Sequence, residues 1–317
     1  MSASKQQLFC APVRDGIVAK DHTCYTREEL LKFVKEYNEK HAGGSGRIMG
    51  ASRMTKTELV KSLDARMTPM CGANQQWCWA EKLRAAAVPV DEVLRPVKPS
   101  EWKKDPHTWL SNFDIEKVMK QYEDDKRFRY KLMGVYPMDF AKVYPEARAI
   151  DIAALRRDGR DYLGYILNLD NHDEPGSHWV SLFLCVNPDQ PAYGAYFYDS
   201  VGTEPAQEIH DFLASVIQPQ CQRLYEKPLP FYWNKRQNQR RNTECGVFSM
   251  NFQIKLLRKL LEKPTMSVRN IVKIKADDKK VSLLRDILFR PTTQPGSTYL
   301  GGRGRLKQRS VKEKKAR

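Results

Sequence analysis

Apolar residues follow two different spacings along the chain, and the change comes near its middle. From Thr26 to Met67 the spacing is helical: Leu30, Leu31, Phe33, Val34 and Tyr37 share one face, and Leu59, Val60, Leu63 and Met67 share another. Each stripe follows a capping box, Thr26-Arg27-Glu28-Glu29 and Thr55-Lys56-Thr57-Glu58. In such a box a threonine oxygen takes an orphan N–H, and the glutamate reaches back to the N-cap. Gly43 and Gly44 are expected to stop the first helix, and Pro69 to lie beyond the second. Residues 25–68 therefore read as helix, loop and helix.

Pro89, Pro96, Pro99 and Pro106 punctuate the next stretch, which reads as a linker. Trp109 to Tyr122 is predicted helical. Short, aromatic-rich runs of strand character follow at Tyr165 to Leu169, Trp179 to Val186 and Tyr193 to Tyr198. Asp173, Pro175 and Gly176, then Asn187 and Pro188, supply turns between them. Pro205 to Ile217, Cys245 to Leu261 and Val281 to Phe289 return to helical spacing. Strands with helices on both sides predict an α+β domain. The expected division is an N-terminal helical module over 1–88, a Pro-rich linker over 89–106, a main domain over 107–291 and a disordered basic tail over 292–317.

Three local patterns in the main domain carry chemistry. In Ser177-His178-Trp179 a histidine sits where a turn enters a strand. In Tyr198-Asp199-Ser200 an apolar strand ends in a carboxylate. In Gln239 to Cys245-Gly246 a cysteine opens an apolar helix. A thiol at a helix N-terminus faces unpaired N–H groups and partial positive charge, which favour the thiolate nucleophile. A histidine beside it can hold the ion pair and protonate a leaving amine. A carboxylate fixes the tautomer of that histidine. The Cys245 N–H and the Gln239 amide are candidate donors to an oxyanion. Taken singly, each residue is more often structural: a packed histidine, a turn aspartate, a small core cysteine. The ordered set is what points to acyl transfer.

Charge adds a candidate partner. The chain carries 54 Lys and Arg against 38 Asp and Glu, a formal net charge of +16. Arg303 to Arg317 alone holds eight basic residues and one acid. With the loop from Lys235 to Arg241, it favours sequence-independent contact with nucleic acid. Lys56 to Leu63 is also weakly similar to the second helix of SAP-type DNA-binding modules. A solvated basic surface is the alternative.

Seven irregularly spaced cysteines suggest reduced thiols and no disulfide framework. Cys10, His22, Cys24, Cys71 and Cys78 lack a Cys-x-x-Cys knuckle, so no metal and no cofactor is expected. Met1 to Lys20 has no apolar signal region, and Val180 to Val186 is too short to span a bilayer. An intracellular protein without a membrane span is expected.

From Trp109 to Leu261 the sequence resembles the adenain clan of cysteine peptidases, which includes the adenovirus protease and the SUMO-deconjugating enzymes. The resemblance rests on Trp109-Leu-Ser-Asn-Phe-Asp-Ile115, His178-Trp179, Tyr198-Asp199-Ser200, and Gln239 six positions before Cys245-Gly246. It implies a papain-like or adenain-like core, a triad of His178, Asp199 and Cys245, and an oxyanion hole lined by Gln239. Gln237 competes for that place. It also implies a substrate groove at Trp109 and Trp179. Within the clan the chain is most similar to virion proteases of large cytoplasmic DNA viruses. That implies an endopeptidase of virion or host cytoplasm, cutting polyproteins after Gly-Gly or Ala-Gly pairs. A SUMO or ubiquitin-like deconjugase is the alternative. By the same resemblance the chain's own Gly43-Gly44 and Gly301-Gly302 are candidate self-processing sites, the second the better one.

Overall fold

The computed structural model describes residues 8–16, 21–42, 46–266 and 276–291. Both Gly-Gly pairs and the basic tail lie outside these residues.

Both capping boxes form. Thr26 caps α1 (Arg27–Lys40), and Thr55 caps α2 (Lys56–Cys71), each in reciprocal exchange with the glutamate three residues on. The α2 helix runs through Pro69 rather than ending before it. Pro69 sits in the last turn, where it costs the one bond to the Ala65 carbonyl and the helix ends three residues later at Gly72. With α3 (Gln76–Leu83) these helices enclose a separate apolar core, in which Phe33 meets the rings of Tyr25 and Trp79 edge-on.

Two expectations for this half are corrected. Cys10 is bonded to Cys24 and Cys71 to Cys78, so four of the cysteines are not free thiols. Packing of the helices brings each pair to Cα separations of 5.2 and 5.8 Å, an approach that sequence spacing does not reveal. The Pro-rich stretch, read as a linker, is tied into the fold. Arg95 donates its N–H to Phe9 O, Cys10 pairs with Leu94, and Val97 pairs with Arg290. Trp102 is buried against Phe289. The prolines terminate regular structure there without freeing the chain.

The main domain opens with α4 (Asn112–Asp124), capped by a third box at Ser111 and Asp114. Five strands follow: β1 (Tyr130–Pro137), β2 (Tyr162–Asn168), β3 (Trp179–Cys185), β4 (Gly194–Tyr198) and β5 (Phe231–Trp233). They lie side by side in chain order. The outer pairs β1–β2 and β4–β5 are parallel and the inner ones antiparallel, which makes the mixed α+β sheet. Between β4 and β5, α5 (Gln207–Phe212) passes through one π-type turn into α6 (Gln218–Tyr225). After β5 comes α7 (Cys245–Glu262).

The sheet separates two cores. Ile166, Phe183 and Tyr196 face α4 and α7, whereas Leu163, Leu182 and Phe197 face Phe140 and Phe212. Burial on both faces explains why the inner strands read as unbroken apolar runs. One polar side chain crosses the first core. Gln253 of α7 donates to Tyr165 O and to the Ser181 hydroxyl, and accepts from the Tyr130 hydroxyl at 2.6 Å. This docking fixes α7, and therefore its first residue, against the sheet.

Candidate active site

Strand register brings the histidine to the aspartate. Ser181 of β3 lies opposite Tyr198 of β4, so His178, just before β3, and Asp199, just after β4, meet at one end of the sheet. His178 Nε2 is 2.6 Å from Asp199 Oδ1. Cys245, the first residue of α7, also lies close enough to the imidazole to favour its charged form. The three residues singled out from separate stretches of sequence are thus brought together.

Burial opposes a charge on His178. The hydrogen bonds to Asp199 and Cys245, with the charges of both, outweigh it and push the imidazole up to about 9. Burial would likewise raise the Asp199 carboxyl. Hydrogen bonds from His178 and from the Val201 N–H reverse that and hold it below the ordinary carboxylate range. Asp199 Oδ2 accepts a further bond from the Thr203 N–H at 3.1 Å.

The remaining candidates divide. Trp109, 41% exposed, lines a cleft of about 360 Å³ with His178, Gln237 and Gln239. Trp179 does not line it. Its indole N–H donates to Leu110 O, and a Cβ on Gly246 would meet its ring at 3.2 Å. Trp179 therefore packs beneath the groove segment, and the residue after Cys245 stays small to let it in. Gln239 is buried, its Oε1 accepting from Ser200 Oγ at 2.6 Å and its Nε2 donating to the Arg241 carbonyl. One amide hydrogen is left over. Gln237 is exposed and donates to Gln239 O.

Sequence reasoning missed several supporting groups. Asn234, buried after β5, accepts from the Asp199 N–H at 2.9 Å and donates to Asp199 O at 2.7 Å, which locks that backbone. Ser200 O accepts the N–H groups of Asn238 and Gln239. Glu244, next to Cys245, is 2% exposed and ion-paired with Arg285 at 2.7 Å. Asn234 is not adjacent to any pattern in the sequence. Glu244 and Ser200 are, and adjacency to Cys245 and Asp199 is the signal that could have found them.

No protein-family model matches the chain. It is 27% identical over 297 residues to a protein of Acanthamoeba polyphaga mimivirus that is named as a thiol protease, covering 89% of this chain and 93% of that one. It is 24% identical over 197 residues to a cysteine protease of African swine fever virus, over 57% of this chain and 67% of that one. The crystal structure of an African swine fever virus protease shares the fold. Its TM-score is 0.57 at 16% identity, over 92% of this chain and 98% of that one. Among the described residues no helix is long and apolar enough to cross a membrane. Sequence similarity that runs through most of the chain, together with a shared mixed-sheet fold, makes this protein a cysteine endopeptidase similar to the thiol and cysteine proteases of large DNA viruses.

Proposed function

We propose that the protein is a maturation protease, cutting viral capsid or core polyproteins after Gly-Gly or Ala-Gly pairs, with Cys245 as nucleophile. The observation that carries this is the imidazole of His178, held 2.6 Å from Asp199 and with Cys245 close enough to favour its charged form. At neutral pH a histidine raised to about 9 is an imidazolium, the partner a thiolate requires. The Cys245 sulfur attacks the scissile carbonyl, and the carbonyl oxygen takes the electron pair. The Cys245 N–H has no acceptor within its own helix and is a donor to that oxygen, and the spare Gln239 amide hydrogen is a second. His178 gives its proton to the departing amine as the carbon–nitrogen bond breaks. Neutral His178 then takes a proton from water, which attacks the thioester. The acid product leaves, and Cys245 is restored as the thiolate beside imidazolium. Asp199, held by Asn234, keeps the ring oriented throughout.

The small-residue preference rests on the modest cleft and on the resemblance to virion proteases of large DNA viruses. The origin of the viral relatives also supports action in the virion or host cytoplasm. A second reading has one observation in its favour: some of the African swine fever virus relatives carry a SUMO-1 cysteine protease name. Gly-Gly-X and Ala-Gly-X peptides, compared with intact SUMO and ubiquitin fusions, separate the two. The maturation reading expects peptide turnover at least comparable to that of the fusions. Turnover of a fusion far above every peptide would replace it with deconjugation.

Exposed Lys235, Arg236, Arg240 and Arg241 support polyanion contact beside the cleft. Sequence-independent DNA binding that falls steeply between low and physiological salt is the expected anisotropy result. No binding at low salt ends that idea.

A further inference from the structure

The loop that carries Gln239 is not held by the catalytic domain's strands alone. Asp278, in the segment after α7, accepts the Arg240 N–H at 3.0 Å, and its other oxygen lies 3.5 Å from the Arg241 nitrogen. The Arg241 carbonyl in turn accepts the Gln239 amide. One carboxylate thus holds the two peptides that lead into the Arg241 carbonyl on which the Gln239 side chain rests. The N–H of Ala276 adds a contact at 3.4 Å to Asn238 Oδ1.

The same segment is anchored beside the cleft by Arg285, itself 4% exposed. Its guanidinium donates to Glu244 Oε2, to Thr243 O at 2.8 Å, and to Pro106 O and Thr108 O at 3.2 and 2.9 Å. It also lies 4.4 Å from the Trp102 ring centre. Thr243 and Glu244 precede Cys245, and Thr108 precedes Trp109. A single side chain therefore joins the nucleophile side of the cleft to the groove side. Arg290, paired with Val97, closes the far end.

We propose that the segment Asp277–Arg290 is a positioning brace for the cleft, in which Asp278 holds the loop that aims the Gln239 amide at the oxyanion. The inference rests on the acyl-transfer reading of the site. Asp278 touches no substrate and acts only through backbone N–H groups. It lies at the surface, so its loss leaves the core intact.

The test compares Asp278→Ala, Asp278→Asn and Gln239→Ala in the full-length chain. Gln239→Ala is expected to lower kcat about 10²-fold, as loss of one oxyanion donor does. Asp278→Ala is expected to lower kcat roughly tenfold through misplacement of that donor, with KM within twofold. Asp278→Asn retains an acceptor oxygen and recovers most of the rate. Tm and the rate of Cys245 alkylation stay at the wild-type level in both Asp278 variants, because alkylation builds no oxyanion. Full kcat in Asp278→Ala beside an impaired Gln239→Ala overturns the brace and leaves the oxyanion assignment standing. Full kcat in both removes both. A parallel fall in alkylation rate or Tm also overturns the brace, since the loss then belongs to the nucleophile or to the fold.

Discussion

Cys245→Ala is expected to abolish peptide cleavage, a loss of at least about 10⁵-fold in kcat, while the protein folds as before. Cys245 is 2% exposed and packs at the start of α7, where the smaller Ala fits without a new polar group to satisfy. The same variant should lose the fast site of thiol alkylation. Of the described cysteines only Cys185, Cys221 and Cys245 are free. Burial pushes the Cys185 thiol up to about 12 and raises that of Cys221, so neither competes as a thiolate. Cleavage by Cys245→Ala, or equal labelling of Cys185, would remove the nucleophile assignment.

The second large effect is expected at Asp199. Asp199→Asn should retain weak activity and lose on the order of 10²- to 10⁴-fold in kcat, because the imidazole keeps a neighbour but loses its counter-charge. The pH profile separates this from general damage. In the native enzyme the raised His178 value places the alkaline limb near 9, where the imidazolium gives up its proton. Below the ordinary histidine value of 6.5 the interaction of charged His178 with Asp199 also contributes fully to folding stability. That contribution is lost as pH rises through about 9. Removing the Asp199 charge leaves burial opposed by Cys245 alone, so the alkaline limb moves to lower pH. A limb that stays near 9 in Asp199→Asn would show that the aspartate does not hold the charge on the ring.

The chemistry was legible where it was local. His178, Asp199 and Cys245 each sit at the end of an element, and the apolar runs of β3, β4 and α7 mark those ends in the sequence. Their supports were not legible, because they come from tertiary approach. Asn234 follows a strand of only three residues, and Arg285 reaches Glu244 from 41 positions away. The first strand, Tyr130–Pro137, escaped for a different reason. It lies at the sheet edge with mostly half-buried residues and a register shift between Leu132 and Gly134, so it shows neither alternation nor a continuous apolar run. The cysteine pairs and the structured Pro-rich stretch follow the same rule. Spacing along the chain says little about which residues meet when helices pack.

The disulfides set the two ends of the molecule against each other. A reductant added to keep Cys245 as a thiol also works against Cys10–Cys24 and Cys71–Cys78, whose sequence separations are 14 and 7. Closing loops of that length is worth on the order of 2–3 kcal/mol each in the chain-entropy account. Opening them leaves the helices around Tyr25, Phe33 and Trp79 held by packing and by hydrogen bonds such as that from the Tyr25 hydroxyl to Gln76 O. Oxidising conditions do the reverse, cross-linking this module while exposing the nucleophile to loss. Catalytic competence and the rigidity of the N-terminal half therefore favour opposite redox conditions, and melting curves with and without dithiothreitol read the difference directly.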